Sequence, residues 1–94
     1  MKFEWDPFKS QACLESRGFD FEYVVASFFD PNRIVKQDHR WDYGENRFQL
    51  FGLIDGRLFS TVYTVRGTTT RIISARKPNQ REVNEYEINT GKNA

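Results

Sequence analysis

The chain has 94 residues, 38 % of them hydrophobic and 29 % charged, with a formal net charge of +1. That length suits one domain, residues 1–94, around one small core, and the hydrophobic share excludes a disordered chain. The near-neutral sum says little about partners, but its distribution does: residues 1–32 hold three cations and six acids, whereas 66–94 hold six and three.

Cys13 is the single cysteine, so neither a disulfide framework nor a thiolate-built metal site is expected. A reducing, cytoplasmic setting is the simplest. The opening MKFEWDPF carries acids at once and no long apolar run, so neither a signal peptide nor a membrane span is expected.

Phe3-Glu4-Trp5 reads as a short strand. Asp6-Pro7 supplies an N-cap acceptor and a proline at the first helical position, which predicts a helix from Pro7 to about Ser16, stopped at Gly18. Asp20 caps a second predicted helix, in which Phe21, Val24, Val25 and Phe28 make one apolar face before Asp30-Pro31 ends it.

The period then changes. Ile34–Arg40, Arg47–Ile54, Leu58–Val65 and Thr69–Arg76 are rich in β-branched and aromatic residues. Asp55-Gly56 is a strong hairpin signal, Arg66-Gly67 marks a second tight turn, and Tyr43-Gly44 bends the first run into the others. Asn79 caps a last helix, with Glu82 placed to return the hydrogen bond; the tail after Ile88 is expected to fray. The expected architecture is α+β: a four-stranded antiparallel meander, extended by the short N-terminal strand, with helices packed on one face. Phe21, Val24, Val25, Phe28, Ile54, Val62 and Ile72 or Ile73 are expected in the core.

The basic end is the chemically suggestive part. Arg66, Arg71, Arg76, Lys77 and Arg81 occur with no acid before Glu82. An unpaired guanidinium is costly to bury, so these side chains must meet solvent, the protein's own carboxylates or an anion, and phosphate suits the guanidinium fork. Asp38, Arg40, Glu45 and Arg47 form a second charged group, and Lys9, Glu15 and Arg17 a third. His39 is the single histidine, and no cluster has metal-ligand spacing; no metal or cofactor is expected. Nothing resembles a hydrolase triad or a phosphate-binding glycine loop. Metal-free attack on RNA needs a positive group for the crowded phosphate and a carboxylate or tyrosine for proton transfer. Glu45, Glu82 and Tyr86 are the candidates for the latter.

FEWDP at 3–7 with Lys9, Phe21-Glu22, FFDP at 28–31, Asp38, Arg40, DYGENRF at 42–48, Gly52, VYTVRG at 62–67, RIISARK at 71–77, Glu82 and Tyr86 together resemble the BrnT family of toxins. That resemblance implies a RelE-like fold and a cofactor-free bacterial endoribonuclease of the cytoplasm. Its implied partners are RNA and a BrnA-like antitoxin, with DNA reached only through the antitoxin and no membrane. The expected site is Arg71, Arg76, Glu82 and Tyr86 for chemistry, with Lys9, Arg40, Arg47, Arg66, Lys77 and Arg81 for RNA. Where the family usually reads Asn-x-x-Lys-His-Gly, this chain has Cys13, Ser16, Arg17 and Gly18. That departure favours a second expectation, a catalytically inactive RNA-binding or regulatory module. A third is an interaction domain whose arginines are merely solvated.

Overall fold

The structure, a computed structural model, describes residues 1–40, 42 and 44–91. Tyr43 of the expected bend and the last three residues lie outside the described residues. In chain order the elements are β1 (Lys2–Trp5), α1 (Pro7–Arg17), α2 (Phe21–Val24) continued by a 3₁₀ segment (Val25–Phe29), β2 (Ile34–Asp38), β3 (Arg47–Ile54), β4 (Arg57–Arg66), β5 (Thr69–Arg76) and α3 (Gln80–Thr90).

The strands form one α+β sheet in the order β1-β5-β4-β3-β2. The pairs from β2 to β5 are antiparallel, whereas β1 lies parallel to β5, with Phe3 opposite Thr70 and Trp5 opposite Ile72. The four antiparallel strands and the short N-terminal strand expected beside them are present, and the correction is that this fifth strand joins in parallel, which makes the sheet mixed. A parallel neighbour requires a long crossover, and the whole of the intervening chain serves as that crossover. The Asp55-Gly56 turn has both residues at positive φ, 49° and 79°, the type I′ geometry that matches strand twist.

The helix ends follow their caps. Asp6 Oδ1 accepts the Phe8 N–H at 2.8 Å, and Gly18, in the left-handed region at φ 85°, closes α1 onto the Leu14 carbonyl. The second helix is shorter than its apolar spacing predicts. After one α turn, the Ser27 hydroxyl donates to the Val24 carbonyl at 2.7 Å, and the backbone tightens to 3₁₀. Val25 is consequently half-buried rather than in the core, whereas Phe21, Val24 and Phe28 are buried. They join Cys13 and Phe19 against Leu50, Ile54, Phe59, Ile72 and Ala75. The last helix runs through Thr90 to a left-handed Gly91 cap, so Asn89 and Thr90 are helical and not part of a frayed tail.

The helices do not share one face. Leu50, Gly52 and Ile54 point toward α2 and the 3₁₀ segment, since a Cβ on Gly52 would lie 2.3 Å from the Ser27 carbonyl oxygen. Lys36, Gln49, Phe51, Ser60 and Arg76 are one register step away and point to the opposite face. There Lys36 meets Glu85, and Arg76 meets Glu82, both on α3. The expected one-sided packing is thus corrected: α3 crosses the second face, where Phe51 and Val62 are also buried. Its few apolar residues hid which face it would choose.

Gly52 is required by that close approach. Gly52→Ala is expected to destabilise the fold by about 1 to 3 kcal/mol, the range for overpacking, read as a lower urea midpoint with an unchanged slope.

Candidate nucleic-acid interface

Arg71 and Arg76 are five residues apart, so in a regular strand they would face opposite ways. A bulge prevents this. Val62 pairs with Ser74 and Tyr63 with Ile72, which leaves Ile73 as an extra residue in β5. Arg71 opposite Thr64 and Arg76 opposite Ser60 therefore share the second face with Arg47, Arg66 and Lys36. Five cations project from the face that α3 only partly covers.

Each is braced by a carboxylate. Arg76 grips Glu82 in a two-pronged bridge, Nη1 to Oε1 at 2.8 Å and Nη2 to Oε2 at 3.0 Å. Lys36 meets Glu85 at 2.6 Å, and Arg71 meets Glu4 at 3.6 Å. Glu45 stands between Arg66 at 3.4 Å and Arg47 at 3.8 Å. Beyond β2, Arg40 holds Asp38 through Nε and Nη2 at 2.9 and 2.8 Å.

The tightest group surrounds Glu82. Asn79 and Glu82 exchange hydrogen bonds at 2.9 Å in a capping box that starts α3. Arg76 is the last residue of β5, and the short Lys77-Pro78-Asn79 link brings the two side chains together. The hydrogen bond from Arg76 lowers the Glu82 pKa, helped by the Asn79 N–H and the nearby Lys36. Glu82 in turn holds Arg76 more firmly protonated. Arg76 also donates from Nη1 to the Lys77 carbonyl at 3.2 Å. Of its five N–H groups, Nε–H and one on Nη2 stay available to an anion. Beside this bridge lies a cleft of about 510 Å³ bordered by Lys36, His39, Arg40, Gln49, Arg76 and Glu82.

Several expected site residues fall elsewhere. Tyr86 is 2 % exposed, and its hydroxyl donates to Asp30 Oδ2 at 2.5 Å. Burial, then that hydrogen bond, push its pKa well above the ordinary tyrosine value. The structure thus places Tyr86 in the interior, where it anchors α3. Lys9 is exposed on α1 and borders a different cleft with Arg17 and Ile73, so it is not gathered with the arginines. Arg81 and Lys77 are exposed around the start of α3. Arg71 sits at the β1 edge, and Arg47 with Arg66 forms a separate group around Glu45.

Lys36 and Gln49 were not singled out by sequence, and His39 was noted as the single histidine without a place in the expected site, yet all three border the Glu82 cleft. Period-two alternation puts Lys36 and Asp38 on one side of β2, and Gln49 pairs with Lys36 across the ladder. That pattern was the available signal. Among the described residues, no three His, Cys, Asp or Glu side chains converge as metal ligands do, and no helix is long and apolar enough to cross a membrane.

Fold and face together define a small α+β domain with a group of carboxylate-braced cations on one sheet face. The chain belongs to the BrnT family, described as the ribonuclease toxin, BrnT, of type II toxin-antitoxin systems, whose model matches residues 5–82. Compared one by one with curated proteins, the chain has no match. The family match reaches Glu82 and stops short of Tyr86.

Two outcomes follow from this geometry. Tyr86→Phe removes a donor from a buried carboxylate and is expected to cost about 1 to 3 kcal/mol in chemical denaturation, while RNA cleavage by the folded fraction stays unchanged. Because the folded Glu82 pKa is depressed, its stabilisation is complete above the ordinary glutamate value near pH 4.3. It is lost as pH falls through the lowered value. Between roughly pH 5 and pH 3 the wild-type melting temperature should therefore fall more steeply than that of Glu82→Gln.

Proposed function

We propose that this chain is a bacterial, cytoplasmic endoribonuclease that cuts RNA without a metal ion and thereby inhibits translation. We further propose that a BrnA-like antitoxin holds it in check. DNA is then reached only through that antitoxin, and the sheet with its flanking helices plays the part it has in RelE-like toxins. The observation that carries this proposal is the Arg76–Glu82 bridge at the edge of the basic cleft, within a family match to a ribonuclease toxin.

The chemistry runs on this chain's own groups. A single strand laid along the basic face puts a phosphodiester against the spare N–H groups of Arg76. As the 2′-oxygen attacks phosphorus and the bond to the 5′-oxygen breaks, Arg76 takes up the added negative charge. One such preorganised contact is worth a factor of about 10² to 10³. Glu82 accepts the 2′-hydroxyl proton or holds Arg76 in line. The leaving 5′-oxygen needs a proton, and the imidazole of His39 stands at the cleft border to deliver it. Lys36, Arg40 and Gln49 position the strand.

One observation favours the second reading, a catalytically inactive RNA-binding or regulatory module. Both Glu82 oxygens are already engaged, by Arg76 and the Asn79 N–H, and a depressed pKa makes a weak base. Incubating purified protein with single-stranded RNA in EDTA separates the two. Cleavage is expected, and it should fall about 10²-fold or more in Arg76→Ala and Glu82→Gln. Glutamine still serves the capping box, and losing this half-exposed bridge should cost only about 1 kcal/mol of stability. Binding without cleavage in the wild type would establish the inactive module, and full cleavage by folded Arg76→Ala would remove that residue from the site.

A further inference from the structure

Arg76 stands in the wall of two clefts. One is the Glu82 cleft; the other, of about 350 Å³, is bordered by Arg17, Phe19, Arg76 and Lys77. Its other two cations, Arg17 and Lys77, differ from those on the sheet face. Lys36, Arg40, Arg47, Arg66, Arg71 and Arg76 all meet a carboxylate within 4 Å. Among the described residues, no such bridge reaches Arg17 or Lys77. A cation already paired inside the chain must share its charge with an incoming phosphate, whereas an unpaired one offers all of it and releases its own counterion.

The surroundings hold that charge in place. Arg17 occupies the last turn of α1, ahead of the left-handed Gly18, where the helix dipole favours a cation without neutralising it as a carboxylate would. Lys77 follows Arg76 directly, and its carbonyl accepts the Arg76 Nη1 at 3.2 Å, so the two side chains diverge from one fixed point. Phe19, buried against Phe59 with ring centroids 5.0 Å apart, gives the cleft an apolar floor, and charge interactions weaken less beside such a wall than in open water.

We infer that Arg17 and Lys77 form a phosphate-binding subsite that holds the phosphodiester next to the one at Arg76, fixing the direction in which the RNA strand crosses the active edge. This rests on the ribonuclease function proposed above. Arg17 and Lys77, which no carboxylate among the described residues bridges, supply a larger share of the salt-sensitive affinity than the carboxylate-paired cations of the sheet face.

The test uses the full chain and a fluorescent 2′-O-methyl oligonucleotide, which cannot be cut, with affinity measured by anisotropy across a salt series. Arg17→Gln and Lys77→Gln are each expected to lower the slope of log affinity against log salt by about 0.7, and the double variant by about 1.4. The double variant should bind roughly 10-fold more weakly at low salt. Arg17→Lys should restore the slope, and Arg57→Gln, at an exposed cation that begins β4, should leave it unchanged. A double variant with wild-type melting and an unchanged slope would overturn the subsite while leaving ribonuclease function intact. The same holds if it keeps RNA affinity and loses only binding to an acidic polypeptide, which would make the cleft a protein contact. A wild type with no salt-dependent RNA binding would overturn both the subsite and the function it rests on.

Discussion

The carboxylate of Asp30 is the constraint on which the arrangement of this molecule depends. It is 8 % exposed and lies between the 3₁₀ segment on one face of the sheet and β2. Its Oδ1 accepts the Asn32 N–H, and its Oδ2 accepts the Leu53 N–H, both at 2.8 Å, together with the Tyr86 hydroxyl from α3. A buried carboxylate without such partners would cost several kcal/mol, so the three elements that supply them are held to one geometry. The last helix gains most. It carries little apolar surface, and Tyr86 is the one residue it buries fully. One turn earlier on the same helix stands Glu82. The position of the candidate catalytic carboxylate is thus tied to a hydrogen bond in the interior, through the phenol of Tyr86.

Much of the fold was legible because its punctuation is local. Asp6, Asp20 and Asn79 announce helix starts through hydrogen bonds that span three residues or fewer, and Asp55-Gly56 announces its hairpin through backbone φ. What could not be read depends on partners distant in sequence. Four residues of alternating pattern at 2–5 are equally compatible with either edge of a sheet and with either direction. The shortening of the second helix came from a serine hydroxyl competing for a backbone carbonyl, which no apolar periodicity encodes. The face chosen by α3 was hidden for the same reason its docking is economical: it is specified by Asp30, which in sequence looks like a helix terminator and nothing more.

The site was legible to a similar degree. Arg76 and Glu82 are close because a strand end and a capping box are joined by three residues, and both features can be recognised locally. The common orientation of Arg71 and Arg76 cannot be recognised that way; it exists because Ile73 is extruded as a bulge. Tyr86 illustrates the limit of helical spacing. It lies one turn from Glu82, yet the carboxylate meets Arg76 at the end of β5 while the phenol is buried against Asp30. Charge counting found the basic segment but not its internal division into braced and unbraced cations, which depends on where Glu4, Glu45, Glu82 and Glu85 are delivered by the fold.

The parallel pairing of β1 with β5 bears on how the molecule comes into being. The first strand of the chain finds its only neighbour in the last strand, a contact of very high sequence separation whose loop-closure entropy is met late and slows folding. During vectorial synthesis the amino-terminal strand must wait, unpaired, until the ribosome has delivered residues 69–72, and Arg76 and Glu82 emerge after that. The second face is thus assembled only after β5 is in place, because Arg71 and Arg76 lie on the very strand that β1 waits for.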